Sequence, residues 1–473
     1  MRKPTFAALA AALLASGCMN LAPKYERPAA PVAPAFADAG PASGPVASEL
    51  AWQDFLVDAR LRQLVAIALE NNRDLRVSIA NIEQARALYG VRRADAFPTV
   101  NLGASGLRQP NTSGDGISSL YTVGLSVTAY ELDFFGRVRN LSDAALAQYL
   151  ATEEARKTAQ ISLVSAVATT YLAVLADDVQ LDVTHQTLDT REQSLKLTKL
   201  MFDNGVVSEI DYRQAESLYE GARAALAQLT RVRAQDENAL VLLLGRPMPT
   251  DLPPGLPLIE QRLVADLPAG VPSEVLTRRP DVRAAEQQLV AANANIGAAR
   301  AAFFPRITLT GGIGVASTDL SNLFKGGSSA WTFAPQAVLP IFDAGRNQSN
   351  LDFAKATRDV ALAQYERSIQ GAFREVADAL AGRATLGEQV RAQQAQTRAD
   401  EARFRLADLR YRNGAASYLE LLDAQRALFA SQLLLVQTQQ GQVQNLINVY
   451  KALGGGWVEP VATASAAASA PAR

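Results

Sequence analysis

The sequence predicts a mainly α chain with a small β part, built as two tandem repeats of about 200 residues. Three observations predict it. An Ala-rich helical run passes directly into an alternating, strand-like segment at Phe-Pro twice, in "RADAFPTVNLGAS" and "RAAFFPRITLTGG", with Pro98 and Pro305 standing 207 positions apart. Asp74 and Asp281 share that offset, while Gly136-Arg137 with Gly345-Arg346, Asn204-Gly205 with Asn413-Gly414, and Leu244-Gly245 with Leu453-Gly454 share 209, a slip of two residues within one loop. Finally, no proline falls from Asn111 to Arg246 or from Ile341 to Glu459, although the chain holds 22. A proline inside a helix costs about 3 kcal/mol, so these gaps mark long uninterrupted helices.

The first 17 residues read as an export signal. Arg2 and Lys3 precede the apolar run "FAALAAALLA", which is too short to span a membrane as a helix. Cys18, the sole cysteine, follows "LASG", which resembles a bacterial lipobox whose cysteine becomes the acylated first residue. The match departs from the pattern in having Ala15, not Leu, three residues before the cysteine; the competing reading is an unmodified small hydrophobe. Met19 stands where an Asp would resemble an inner-membrane retention signal, so the resemblance implies the outer membrane. Residues 18–50 are Pro/Ala-rich with little bulky apolar content and read as an extended tether.

The first repeat, 51–250, opens with an amphipathic helix ending at Phe97-Pro98, followed by two alternating segments within about 99–132 and long helices over 137–244. Neither Gly nor Pro appears from Arg137 to Asn204, enough for one helix of about 100 Å at 1.5 Å per residue. A Pro-rich linker, 251–272, leads to the second repeat, 273–456: a helix from Ser273 to Ala302, strands within about 306–342 and long helices over 346–453. Residues 457–473 read as a disordered tail. The two ascending helices of about 37 and 30 residues together match the length of the single descending one. Leu422, Phe429, Val436, Val443 and Tyr450 recur every seven residues, a coiled-coil spacing.

In the strand segments Ile307, Leu309, Ile313 and Val315 share one face and Thr308 and Thr310 the other. Tyr121, Val123, Leu125 and Val127 alternate likewise with small polar residues, and Val100 and Leu102, then Trp331, Phe333, Ala337 and Leu339, repeat the pattern. Each segment has the length a tilted strand needs to cross a bilayer, and the alternation fits an outer-membrane barrel. A soluble hairpin packed on helices fits the pattern too, and Pro335 points to an edge strand or a bulge. If the strands span, four cannot close a barrel, since bacterial barrels begin at eight and open edges in lipid leave amides unsatisfied. Two copies would supply eight strands and three would supply twelve.

Composition excludes several classes. Forty-six basic against 47 acidic residues give no field for a polyanion, so nucleic acid is not a partner. One Cys and one His cannot assemble a disulfide framework or a thiolate or imidazole metal site. His185 lies within the long helix without a serine elbow or a second histidine. Gly311, Gly312 and Gly314 lack the third glycine and following helix of a dinucleotide fingerprint and read as close-packing positions in a curved strand. No enzyme, cofactor or metal reading survives.

Five segments together, "WQDFLVDARLRQLVAIALENNRDLRVSIANIEQARALYGVRRADAFPTV", "YELDFFGRVRN", "RRPDVRAAEQQLVAANANIGAARAAFFPRITL", "PIFDAGR" and "YRNGAASYLELLDAQRAL", resemble the outer membrane factors: the TolC-type and OprM-type tunnels, in their NodT-type lipoprotein efflux branch. The resemblance covers nearly the whole chain from Cys18 to about Gly456. It implies a homotrimer in which four transmembrane strands per chain form a shared twelve-stranded β-barrel and the coiled-coil helices a periplasmic α-barrel. It further implies docking through a periplasmic adaptor to an inner-membrane RND-type pump that exports drugs or other small molecules. A lipid-anchored periplasmic coiled-coil scaffold without a pore, and a type I protein-secretion outlet, are the competing readings.

The resemblance also places a gate. Asn204-Gly205 and Asn413-Gly414 become the periplasmic hairpin tips, Glu420 and Asp423 fall where the family carries acidic rings, and Tyr411 and Asp211 where an inter-helix hydrogen bond holds the mouth closed. Ala416 stands where some relatives have a basic residue of that network. The residues themselves allow a plainer reading. "SEID" and "SYLE" fit capping boxes, with Ser208 and Ser417 as N-caps and Asp211 and Glu420 three residues on. Asp423 is not needed by a cap; its alternative is a solvated helix charge.

Overall fold

The structure, a computed structural model, describes residues 19–36, 47–110, 116–261, 263, 267 and 278–457. The export signal, Cys18, residues 273–277 and the tail from 458 lie outside the described residues. The chain forms two compact units. The first comprises residues up to Ala29 together with Ala80–Glu154 and Arg283–Ser368; the second comprises Ala30–Ile79, Ala155–Val282 and Ile369 onward.

Helices α1 (Trp52–Phe55), α2 (Ala59–Asn71) and α3 (Arg73–Ala94) precede strands β1 (Val100–Pro110) and β2 (Ile117–Leu132). The long helices α4 (Arg137–Asp203) and α5 (Glu209–Leu244) follow. The second repeat runs α6 (Pro280–Ala301), β3 (Arg306–Ser317), β4 (Ser329–Val338), α7 (Arg346–Arg412) and α8 (Tyr418–Ala452). The duplication is visible in element lengths: α4 and α7 both have 67 residues, and α5 and α8 have 36 and 35. At 1.5 Å per residue each 67-residue helix is about 100 Å long. The opening helix of repeat 1 is broken at Asn72, whose Oδ1 accepts from the Leu75 amide at 3.0 Å and so restarts the chain as α3.

In the first unit, the helix-to-strand junction is the same in both repeats. A tight last turn (Phe97 N to Ala94 O, 2.9 Å; Phe304 N to Ala301 O, 3.1 Å) is followed by a proline, which lacks an N–H and forces its predecessor out of the helical region. The sheet is antiparallel in the order β1-β2-β3-β4. Its register shifts between Val127 and Tyr130, where Ala129 takes φ 52° and its amide donates to Thr310 Oγ1 at 3.1 Å. The bulge changes parity, so Tyr130 and Leu132 lie opposite Leu309 and Ile307 and the apolar face continues past it. β4 ends at Val338, which leaves Leu339, expected on that strand, outside it. Pro335 does occupy an edge strand.

Each repeat then turns into a long helix through a left-handed glycine, Gly136 (φ 72°) or Gly345 (φ 84°). Asp133 and Asp343 cap these starts by accepting from the Arg139 amide (2.8 Å) and the Asn347 amide (2.9 Å). Small residues bring α4 and α6 together: Ala144 and Ala147 pack on Ala291 and Ala294.

The amino-terminal segment corrects the tether expectation. It is extended but strapped along α6: Glu286 accepts from Tyr25 Oη at 3.1 Å and from Arg27 Nε and Nη2 at 2.7 and 2.9 Å. Asn293 and Arg300 donate to the carbonyls of Pro23 and Leu21, and the Met19 amide donates to Phe134 O at 3.2 Å. Polar contacts hold residues 19–27, so a count of bulky apolar residues misses that part; farther on, Phe36 is buried and stacks on Phe373 with centroids 4.8 Å apart.

The second unit carries the larger core. Phe55 stacks on Tyr450 with centroids 3.9 Å apart, and Tyr450 Oη donates to Leu50 O at 2.6 Å. Asp58, 1% exposed, caps α2 through the amides of Arg60 and Leu61 and also accepts from Tyr171 Oη, Leu256 N and Gln261 Nε2. Gly382, inside α7, leaves room for Asn445 of α8: a Cβ there would stand 2.4 Å from its Oδ1.

Candidate functional site

The sheet sorts its side chains onto two unlike faces. Leu102, Leu125, Ile313 and Trp331 form one row in register across all four strands and are 76%, 46%, 67% and 76% exposed within the chain. Leaving such side chains in water forgoes about 1.5–3 kcal/mol apiece, a cost that vanishes against lipid. The opposite face carries Asn101, Ser126, Gly312 and Thr332 in one row and Gly103, Gly124, Gly314 and Ala330 in the next. Ser105 and Thr122 hydroxyls share a 2.7 Å hydrogen bond on the same face.

Gly124 and Gly314 are there for space. A Cβ on Gly314 would meet Val123 O at 2.2 Å, and one on Gly124 would meet Ile313 O at 2.5 Å. Of Gly311, Gly312 and Gly314, all expected to be close-packing positions, only Gly314 is this tight; a Cβ on Gly311 or Gly312 would stand no nearer than 3.4 or 3.3 Å to its neighbours. β1 and β4 are both edges, each with one unpaired rim of amides and carbonyls. At the sheet's helical end Glu131 accepts from Arg137 through two 2.7 Å bonds and from Arg306 at 2.7 Å, tying β2, β3 and α4 into one corner. Phe135 stacks on Phe304 beside it, with centroids 4.7 Å apart.

The hairpin tips repeat one design. Gly205 and Gly414 are left-handed (φ 72° and 68°), and Asn204 and Asn413 each donate Nδ2 to the carbonyl four residues back at 2.7 Å. After the first tip, Ser208 and Asp211 form a full capping box: Ser208 Oγ accepts from the Asp211 amide, and Asp211 Oδ2 accepts from Ser208 N and Oγ at 3.2 and 2.8 Å. After the second, Ser417 accepts from the Glu420 amide at 3.4 Å, but the Glu420 carboxylate turns away and accepts from Arg410 Nη1 at 2.6 Å. Arg410 Nη2 also donates to Ala415 O at 3.2 Å, so this arginine clamps the turn. Asp423 is ion-paired with Arg403.

Tyr411 packs against Tyr418 (centroids 5.4 Å apart) and directs its hydroxyl to Met201 Sδ at 3.7 Å. Burial and, secondarily, the charge of Asp211 push its pKa up. The two groups are thus near one another, but among the described residues no hydrogen bond joins them. The expected Tyr411–Asp211 link is not formed within the chain, because the capping box already engages the Asp211 carboxylate.

The family model described as "Outer membrane efflux protein" matches residues 64–246 and 271–455, one match per repeat. The chain belongs to the outer membrane efflux protein family. It is 49% identical over 458 residues to the solvent efflux pump outer membrane protein SrpC of Pseudomonas putida, covering 94% of this chain and 97% of that one. It is 46% identical over 468 residues to the outer membrane protein OprJ of Pseudomonas aeruginosa, covering 97% and 98%. Among solved structures, the open state of the Neisseria gonorrhoeae MtrE outer membrane channel superposes with a TM-score of 0.85 at 43% identity over 92% of this chain and 98% of that one. The fold is therefore that of a TolC-like outer membrane channel with two tandem repeats, and the function that of the outer membrane component of an efflux pump.

In this efflux channel the acids singled out from the sequence are not bare. Glu420 and Asp423 each have a guanidinium partner on α7, which offsets the like-charge repulsion expected of an acidic ring. Residues equidistant from a hairpin turn meet, which points to Arg410, five positions before Ala415 as Glu420 is five after it, but not to Arg403, twelve positions before it where Asp423 is eight after. The Glu131 corner carried no comparable signal, since Arg306 is 175 residues from Glu131.

Proposed function

We propose that three copies pool their sheets into one twelve-stranded barrel through the outer membrane, with the long helices forming a periplasmic tunnel below. The observation that carries this is the four-stranded sheet itself, open at β1 and β4 and exposed along its apolar row. Joining β1 of one copy to β4 of the next satisfies both rims at once, and closure by rotation leaves no edge in lipid. Twelve strands fall within the even-numbered series of bacterial barrels. The small, polar opposite face then lines an aqueous lumen.

The tunnel is a passive conduit. It performs no catalysis; an inner-membrane RND-type pump, coupled through a periplasmic adaptor at the hairpin tips, supplies the driving force for drugs or other small molecules. Cys18 carries the lipid anchor; beside it in the chain, the Met19 amide bonds to Phe134 O, two residues beyond the end of β2. Mass spectrometry of the mature amino terminus tests the anchor.

Planar-bilayer recording on the purified protein tests the conduit. Stepwise conductance from a heat-modifiable trimer is expected. A protein that runs as a monomer before and after heating and gives no channel events would favour a poreless scaffold instead.

A further inference from the structure

Within the second unit, α4 buries an arginine that no carboxylate among the described residues neutralises. Arg191 is 5% exposed; its Nη1 donates to Leu218 O of α5 at 3.0 Å, and its guanidinium lies 5.0 Å from the ring centroid of Phe429 on α8. Its Nε is buried without a hydrogen-bond partner. Burial and the neighbouring Arg426 cation both disfavour its charge, and only Tyr418 acts in the opposite sense. An uncompensated buried cation is costly, and the usual remedy is an anion with lone pairs to satisfy the free donors.

Beside this guanidinium α4, α7 and α8 line a cavity of about 210 Å³ that is open to solvent on one side, with Thr187, Arg191, Phe404, Gln425 and Phe429 among its walls. Gln425 is 6% exposed, donates Nε2 to Ser194 Oγ at 3.2 Å and leaves its Oε1 buried and unpartnered. A serine hydroxyl donates as readily as it accepts, so the amide fits either way round; turned over, it presents Nε2 as a second donor. Glu401 also lines the cavity, but it is exposed and is not among the charges acting on Arg191. The volume is below that of drug-sized pockets, and the walls combine two aromatic rings with one cationic donor.

We propose that this cavity binds a small carboxylate with an apolar body, its carboxylate on Arg191 and its ring or chain between Phe404 and Phe429. The site does not rest on the conduit reading. Such a ligand supplies the anion that the buried guanidinium lacks and covers apolar surface that is otherwise half-exposed.

Titration of the intact, detergent-solubilised assembly with 4-fluorobenzoate, followed by fluorine NMR, tests it. Saturable binding is expected, displaced by benzoate and not by neutral benzamide. Arg191→Met lowers the affinity about tenfold or more, the loss of one charge-assisted pair, and Gln425→Leu weakens it less. Non-saturable binding, equal competition by benzamide, or unchanged affinity of Arg191→Met overturns the proposal. Should Arg191→Met fail to assemble, wild-type crystals grown with 4-bromobenzoate decide: an anomalous bromine peak between Phe404 and Phe429 supports the site, and its absence there refutes it.

Discussion

Arg410 donates to Glu420 across the second helical hairpin at 2.6 Å, and farther from the same turn Arg403 pairs with Asp423. All four side chains remain substantially exposed, so each pair contributes only about 0–1 kcal/mol to stability and either partner can be removed without unfolding the hairpin. Arg403→Ala leaves one bare carboxylate per chain near the second hairpin tip. Reversal potentials in a salt gradient are expected to shift toward cation preference, with stronger block by divalent ions, whereas Asp423→Ala shifts them the other way. Unchanged reversal potentials in both variants would place the pair off the ion path.

Gly124 and Gly314 face one another across β2 and β3 with no room for a methyl group on either. Because the obstructing atoms are backbone, Gly314→Ala must spread the strands, at about 1–3 kcal/mol. The fraction of heat-resistant oligomer on gels is expected to fall, and an unchanged fraction would contradict this.

How much was legible in the sequence follows from what holds each part. The long helices were readable because a missing proline is a local signal, and the strands because a period of two needs no partner. The bulge left a trace that was not used: apolar residues move from odd positions through Val127 to even ones at Tyr130 and Leu132. The strap was misread because Arg27 is fixed by Glu286, 259 residues away, through polar atoms. Glu420 and Asp423 are visible in the sequence as acids near the second turn, but the pairing of Asp423 with Arg403 depends on side-chain reach that counting positions about the turn does not give.

Asp58 gathers two amides of its own helix, Leu256 N, Gln261 Nε2 and Tyr171 Oη around one buried carboxylate. Asp58→Ala removes an N-cap and strands three further donors, for a loss of about 3 kcal/mol or more. The chemical-denaturation midpoint should drop, and an unchanged midpoint would show that water replaces the lost acceptor.

Asp177 of α4 is buried, and its pKa is pushed up from 3.8 to about 6 by that burial, then by the charge and hydrogen bond of Asp236 on α5 and the charge of Asp178; Arg233 opposes the shift. The folded value exceeds the unfolded one, so the protonated form favours folding. Its contribution is fully present below pH about 3.8 and is lost as the pH rises through about 6. Asp177→Asn is therefore expected to raise the melting temperature at neutral pH and to flatten its dependence on pH between those values. Parallel pH profiles for wild type and variant would contradict this.

Cysteine cross-linking of β1 to β4 tests barrel sharing most directly. Ser105→Cys on β1 is combined in turn with Ala330→Cys, Thr332→Cys and Ala334→Cys, all on the polar face of β4, and oxidised in outer-membrane preparations. A shared barrel predicts that at least one combination yields a covalent ladder ending at three chains. A disulfide closing within one chain, or no cross-link in any combination, would contradict it.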